Sequence, residues 1–315
     1  MEGARELLVV GGRAASDEGG MTYLNDVWRS SDGGASWTKV RSAADFAPRA
    51  HFGSASHGRT ILVVGGATEA PVLRLNDVWA SKDGGLTWTR VTAAAAFGAR
   101  YGMACLKHAS LHPPVALRRQ TASNVFSLRS QILVMGGSTC EAGCTRYDTS
   151  LAGCRTLAGV PPAHCCLANE TCLHRVNVAD VWSSDDLGGS WTRAGSTPLW
   201  KARTFAMSNS HVDSSVLLAG GYDSWDRYFG DVWRSEDGGA SWRLVLGNSS
   251  AYSASASGPT SSSEGSKSAA SRWAPRSLGH IDVLGSCPVL LGGHRRSGAA
   301  DYEHFHDVWV PSPGV

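Results

Sequence analysis

The chain has 315 residues, 42% of them hydrophobic and 18% charged, and 29 Lys+Arg against 27 Asp+Glu leave a net charge of +2. At roughly 150 residues per domain this length allows two domains, or one barrel, propeller or solenoid. The composition excludes wholesale disorder and a phosphate-tracking basic surface, so no nucleic-acid partner is expected. No stretch approaches the roughly 20 apolar residues of a membrane helix, so no membrane span is expected. Twelve Trp against seven Phe and seven Tyr point to a repeated motif that carries tryptophan. The apolar run in the amino-terminal MEGARELLVVGG is too short for a secretory signal. Met1 is therefore expected to begin inside structure, in an intracellular protein or downstream of the true start.

The first predicted element is the apolar run LLVVGG, ending at Gly11 and Gly12; its counterparts are ILVVGG (Gly65, Gly66), ILVMGG (Gly136, Gly137), VLLAGG (Gly220, Gly221) and PVLLGG (Gly292, Gly293). Next comes Asn25-Asp26-Val27-Trp28, whose Asp-Val-Trp core recurs from Asp77, Asp180, Asp231 and Asp307, five copies in all. Four copies continue into S-x-D-x-G-x-x-W, with Asp32 and Trp37, Asp83 and Trp88, Asp186 and Trp191, and Asp237 and Trp242. Ahead of four of the glycine-closed runs lies aromatic-x-x-Arg: Phe46 and Arg49, Phe97 and Arg100, Trp200 and Arg203, Trp273 and Arg276.

Each segment is short, apolar or alternating, and bounded by Gly, Ser, Asp and Asn, as a β-strand is. Four strands recurring every 51 residues, from Asp26 to Asp77 and from Asp180 to Asp231, form a meander that buries its faces only by stacking on its own copies. That is an all-β fold, a β-propeller of four-stranded antiparallel blades, about five of them. In S-x-D-x-G-x-x-W the carboxylate accepts backbone N–H groups across a tight turn and the glycine supplies the positive φ. The repeated tryptophans fill the wedges between blades. Direct counting gives 18 strands, beginning at a second strand and ending after a third. The first blade thus lacks its first strand, the last lacks its fourth, and the ring has a gap.

The chain resembles the kelch family of propellers in its Gly-Gly strands, its N-D-V-W segments and the lead-ins Ala47-Pro48-Arg49 and Ala274-Pro275-Arg276. Its S-x-D-x-G-x-x-W segments resemble the Asp box (BNR repeat) of sialidases and sortilin-type receptors. The resemblance spans nearly the whole chain and implies the fold of the galactose oxidase/kelch-like superfamily. It does not by itself imply a function, because these motifs mark enzymes and binders alike.

One domain over residues 1–315 is expected, with inserts at 107–129 (between first and second strands) and 138–177 (between second and third), and a Ser/Gly-rich linker at 247–271. Because strands alternate in direction, 138–177 and 247–271 emerge on one face, opposite the S-x-D-x-G-x-x-W turns. Cys140, Cys144, Cys154, Cys165, Cys166 and Cys172 fall in the second insert, and their density suggests a disulfide-stapled knob, with zinc or free thiols as rivals. The sequons at Asn169 and Asn248 join the cysteines in favouring an extracellular or secretory-lumen setting. Cys105 and Cys287 lie on predicted strands and are expected to be buried apolar residues.

The insert-bearing face also carries Tyr222, Trp225, Asp226, Arg227 and Tyr228, then His294, Arg295 and Arg296, then Tyr302 and His304. Mixed aromatics, arginines and carboxylates favour binding, so these ten residues are the candidate partner-binding site for a protein or glycan ligand. No catalytic residues, cofactor or metal are assigned, and the chain is expected not to be an enzyme. The alternative implied by the Asp boxes is a secreted sialidase-like glycosidase. It is disfavoured because Arg49, Arg100, Arg203 and Arg276 hold one repeat position, as structural arginines joining blades would. A galactose-oxidase-like copper enzyme is a weaker alternative, resting on His304 and His306.

Overall fold

Five antiparallel sheets, one per repeat, follow one another along the chain in the computed structural model, which describes residues 6–16, 20–68, 74–112, 127–140, 175–211, 213–247, 252–253, 273–284, 287–297 and 301–310. Blade I holds β1 (Leu7–Ala15), β2 (Met21–Ser30) and β3 (Thr38–Arg41). Blade II holds β4 (Gly53–His57), β5 (Thr60–Ala67), β6 (Arg74–Ser81) and β7 (Thr89–Thr92). Blade III runs β8 (Ala104–His112), β9 (Ser127–Met135), β12 (Val181–Ser184) and β13 (Thr192–Arg193), with β10 (Ser138–Cys140) and β11 (Arg175–Asn177) paired at the base of its long loop. Blade IV runs β14 (Met207–Ser210), β15 (Val216–Ala219), β17 (Val232–Ser235) and β18 (Arg243–Leu246), and a small sheet joins β16 (Arg227–Tyr228) to β19 (Tyr252–Ser253). Blade V holds β20 (His280–Leu284), β21 (Cys287–Leu291) and β24 (Val308–Trp309), with β22 (His294–Arg296) paired to β23 (Tyr302–His304).

The chain is an all-β, five-bladed β-propeller, and no helix occurs among the described residues. The main sheets have three, four, four, four and three strands, the pattern expected from the repeats. The Gly-Gly pairs do more than end strands. At Gly65 and Gly66, with φ of 57° and 101°, the β5–β6 register shifts and the ladder then resumes. A Cβ on Gly66 would lie 2.7 Å from the Phe52 Cβ, so the bulge needs glycine for space as well as for φ.

The four lead-in arginines are buried, and each guanidinium grips the Asp of its own blade's Asp-Val-Trp. The Nη1 to Oδ1 distances are 2.7 Å for Arg49 and Asp77, 2.6 Å for Arg100 and Asp180, and 2.6 Å for Arg203 and Asp231; Arg276 holds Asp307 in the same way. Each pair is bidentate, the geometry that makes Arg–carboxylate contacts strong. The side chains therefore tie the inner strand of a blade to its third strand. The arginine main chain makes the contact between blades. Its C=O accepts the N–H of the second glycine of the preceding blade, at 2.9 Å for Gly12 and Arg49, Gly66 and Arg100, Gly137 and Arg203, and Gly221 and Arg276.

Between blades lie apolar clusters built from the strand runs, such as Leu62, Val64, Val78, Ile132 and Val134 with Phe97, Met103 and Trp191. The aromatic of each lead-in covers the turn tryptophan of its own blade edge-on: Phe46 on Trp88 at 5.1 Å, Phe97 on Trp191 at 5.0 Å and Trp200 on Trp242 at 6.1 Å. Those three tryptophans are buried. Trp37 of blade I is not, at 39% exposed.

Two of the expected inserts are partly regular structure. β8 and β9 pair from Ala104 and Met135 out to His112 and Ser127, leaving 113–126 outside the described residues. β10 and β11 take the ends of 138–177, leaving 141–174 outside. Cys140 ends β10; Cys144, Cys154, Cys165, Cys166 and Cys172, with both sequons and most of the 247–271 linker, also lie outside the described residues. Cys105 is a free thiol, and burial pushes it up to about 12.

Candidate functional site at the channel mouth

The residue two places after each lead-in arginine, two before the inner strand, is in the left-handed conformation: His51 (φ 57°), Gly102 (63°), Phe205 (53°) and Leu278 (55°). A backbone chain links them across the blades. Gly102 N–H donates to the His51 carbonyl at 2.8 Å, Phe205 N–H to Gly102 at 2.7 Å and Leu278 N–H to Phe205 at 3.3 Å. Positive φ at three non-glycine residues is strained, and here the strain turns the His51, Phe205 and Leu278 side chains into one end of the central channel.

They line a cavity of about 450 Å³ there, with Arg13 and Tyr101. The opposite wall comes from the hairpins beyond the Gly-Gly bulges of blades IV and V: Tyr222, Asp226 and Tyr228, then His294, Arg296, Tyr302 and His304. The rings pack in a continuous arc. His51 and Phe205 meet edge-on at 5.0 Å, Phe205 stacks on Tyr222 at 5.7 Å, and Tyr222 lies 5.2 Å from Tyr228. Across the gap His294 meets Tyr302 edge-on at 5.2 Å and His304 at 5.8 Å.

The electrostatics keep His51 and His294 uncharged beside the Arg13 guanidinium and the Asp226–Arg296 pair. Burial, with the Arg13 charge nearby, pulls His51 down to about 4, and burial with the neighbouring His304 holds His294 below the ordinary imidazole value. Burial pushes the Tyr228 hydroxyl up to about 12. Arg296 Nη1 reaches Asp226 Oδ2 at 3.2 Å across the boundary between blades IV and V. The mouth therefore offers ring faces, the uncharged His51 and His294 ring nitrogens, hydroxyls, the Arg13 guanidinium and one guanidinium–carboxylate pair.

Seven of the ten sequence candidates meet at this cavity. The other three point elsewhere. Trp225 stands 49% exposed at the tip of its loop. Arg227 turns back onto Asp223 at 2.7 Å, a buried carboxylate that also accepts the Trp225 and Arg227 N–H groups. Arg295 pairs with Glu303 at 2.7 Å. His306 is exposed, outside the cavity that His304 lines. Among the described residues no three His, Cys, Asp or Glu side chains converge as a metal site.

Sequence reading missed Arg13, His51, Tyr101, Phe205 and Leu278. A signal was available: all but Arg13 follow a lead-in arginine by one or two places, where the four repeats differ in residue type.

A family model described as "DUF6242 beta propeller domain" matches residues 1–146. A solved structure, "Structure of YjhT", is similar at a TM-score of 0.55 with 14% sequence identity, over 95% of this chain and 81% of that one. Both likenesses concern the propeller fold. No curated protein matches the chain.

The four S-x-D-x-G-x-x-W turns lie away from this cavity. In the first, Ser36 N–H and Oγ donate to the Asp32 carboxylate at 2.9 and 2.6 Å, Gly34 N–H donates to Ser30 Oγ at 2.8 Å, and Trp37 Nε1 donates to the Gly34 carbonyl at 3.1 Å. Asp83, Asp186 and Asp237 repeat the arrangement with Thr87, Ser190 and Ser241. These carboxylates are consumed in holding the hairpins.

Proposed function

We propose that the protein is a non-catalytic binding scaffold that receives one glycan unit at the channel mouth, on a kelch-like propeller whose third-to-fourth strand turns are Asp boxes. The observation that carries the reading is the convergence of stacked ring faces with the Asp226–Arg296 pair in a cavity of about 450 Å³, within the range of small-ligand sites. Sugars present apolar C–H faces that pack on aromatic rings and hydroxyls that need donors and acceptors. Tyr222, Phe205 and Tyr228 supply the first, and Asp226, Arg296, His51 and His294 supply the second. The Asp-box reading is supported by the hydrogen bonding of the four turns.

The chemistry of the lining argues against the glycosidase alternative. Hydrolysis of a glycoside ordinarily uses two carboxyl groups flanking the scissile bond, and Asp226 is the one carboxylate of this cavity, already paired with Arg296. The arginines a sialidase would turn toward a substrate carboxylate are buried on their own aspartates. The reading is tested by screening the labelled protein on a glycan array and repeating any hit with Tyr222→Ala and Arg296→Ala. Loss of the hit in both variants supports it, and turnover of a glycoside panel would contradict it. Exposed Trp225, beside the mouth, favours a glycan displayed on a protein over a free sugar.

A further inference from the structure

Arg13 follows the second glycine of its blade's Gly-Gly pair, the position that Ala67, Ser138, Tyr222 and His294 hold in the other four. Ala67 and Ser138 are buried, whereas Arg13, Tyr222 and His294 line the channel mouth. Arg13 pairs with Tyr23 in the β1–β2 ladder, so a hydrogen-bonded strand carries it to the rim. It is exposed, and its charge reaches into the cavity, where it helps to hold the His51 imidazole neutral. Among the described residues, the arginine and carboxylate side chains of the lining are Arg13, Arg296 and Asp226. Asp226 is held by Arg296 at 3.2 Å, and Arg13 has no carboxylate partner among the described residues. The mouth therefore carries one guanidinium more than it has carboxylates.

That surplus decides which sugar the mouth suits. A neutral sugar packed on Phe205, Tyr222 and Tyr228 would take water from the Arg13 guanidinium and return only hydroxyls, and a charge desolvated without an opposite charge is costly. A carboxylate or sulfate ester on the same sugar replaces the lost hydration with a charge-assisted contact, and the planar guanidinium fork can grip either anion with two hydrogen bonds. We propose that the sugar unit received at the mouth is an acidic hexose, a hexuronic acid or a hexose sulfate ester, whose ring lies on the aromatic arc and whose anion meets Arg13. The inference rests on the glycan-binding reading and adds the selectivity of that site. Arg296 already holds Asp226, so this pair orients hydroxyls and the anion is left to Arg13.

The probes are matched hexosides on one array, each sugar present as the neutral hexoside, the hexuronide and the 6-sulfate, read with the labelled full chain and then titrated by calorimetry. The parent is expected to bind an acidic member at least about tenfold more tightly than its neutral match, the worth of one charge-assisted contact. The preference should shrink as salt is raised. Preference for the hexuronide and preference for the sulfate both support the inference, and the stronger of the two identifies the anion. Arg13→Gln is expected to abolish the preference and Arg13→Lys, which keeps the charge, to retain part of it; thermal midpoints near that of the parent show that both variants fold. Equal affinity for neutral and acidic members, a preference that survives Arg13→Gln, or one lost equally in Arg13→Lys overturns the inference and leaves the glycan reading standing. Binding of no hexoside in any form contradicts that reading, and this inference with it.

Discussion

Arg203 and Asp231 form the most enclosed ion pair among the described residues, with Nη1 and Oδ1 2.6 Å apart and side chains 1% and 0% exposed. The same carboxylate accepts the Trp233 Nε1–H at 2.7 Å, and the same guanidinium lies over the Phe229 ring at 4.2 Å. Removing one partner leaves the other charged and dry. Arg203→Met leaves the Asp231 carboxylate charged and dry and is expected to cost about 3–5 kcal/mol of stability. Asp307, the counterpart in blade V, is 48% exposed, so water can replace its guanidinium and Arg276→Met costs distinctly less. Urea unfolding of the two variants, with the slope unchanged, measures the difference; equal losses would show that burial does not set the worth of these pairs.

The left-handed position just before each inner strand makes opposite demands in different blades. Leu278 is 52% exposed at φ 55°, so Leu278→Gly relieves backbone strain of about 1 kcal/mol or more and removes little packing. A small rise in the thermal midpoint is expected. Gly102 has the same backbone, but a Cβ there would run into the Thr204 hydroxyl. Gly102→Ala should therefore lower the midpoint, and scanning calorimetry of the pair checks both signs.

His51 fixes a pH window. Its folded pKa, about 4, lies below the ordinary imidazole value of 6.5, so the unfolded chain binds the extra proton first. The stabilisation is complete above about pH 6.5 and is lost as pH falls through that value toward 4. His51→Asn, a side chain that tolerates the left-handed region, should flatten the stability profile between those limits. An unchanged slope in denaturant titrations at pH 4.5 and 7 would locate the acid sensitivity elsewhere.

The turn carboxylates act at lower pH. Hydrogen bonds from the Thr87 hydroxyl and N–H lower Asp83 to about 2. A carboxylate depressed in the folded state stabilises above its unfolded value, near 4, and the gain is lost as pH falls through about 2. Asp83 is partly exposed in a surface turn, so solvent screening keeps the effect small. Asp83→Asn should lower the midpoint at pH 6 and bring it level with the parent near pH 2, as acid-titrated circular dichroism would show.

The repeat made the scaffold readable because each blade's chemistry is written in residue types that do one job. Gly-Gly needs positive φ, Asp-Val-Trp needs its arginine, and the spacing of 51 residues brings equivalent strands side by side. The candidate site was readable only in part. Tyr222, Asp226 and His294 stand out as departures from the repeat, whereas His51, Phe205 and Leu278 look like ordinary strand starts until φ shows where they point. Arg227 and Trp225 have the right composition for a site, but the buried Asp223 holds the exposed Arg227 side chain away from the cavity, and Trp225 stands exposed outside it. Hairpin pairings of two or three residues decide those directions, and no periodicity records them.

The most direct measurement is calorimetric titration of the best glycan-array hit into the parent protein, Tyr222→Ala and Arg296→Ala under one set of conditions. Saturable binding by the parent, lost in both variants while their thermal midpoints stay near that of the parent, is the expected result. Binding that survives both substitutions would place the ligand elsewhere and contradict the channel mouth as the functional site.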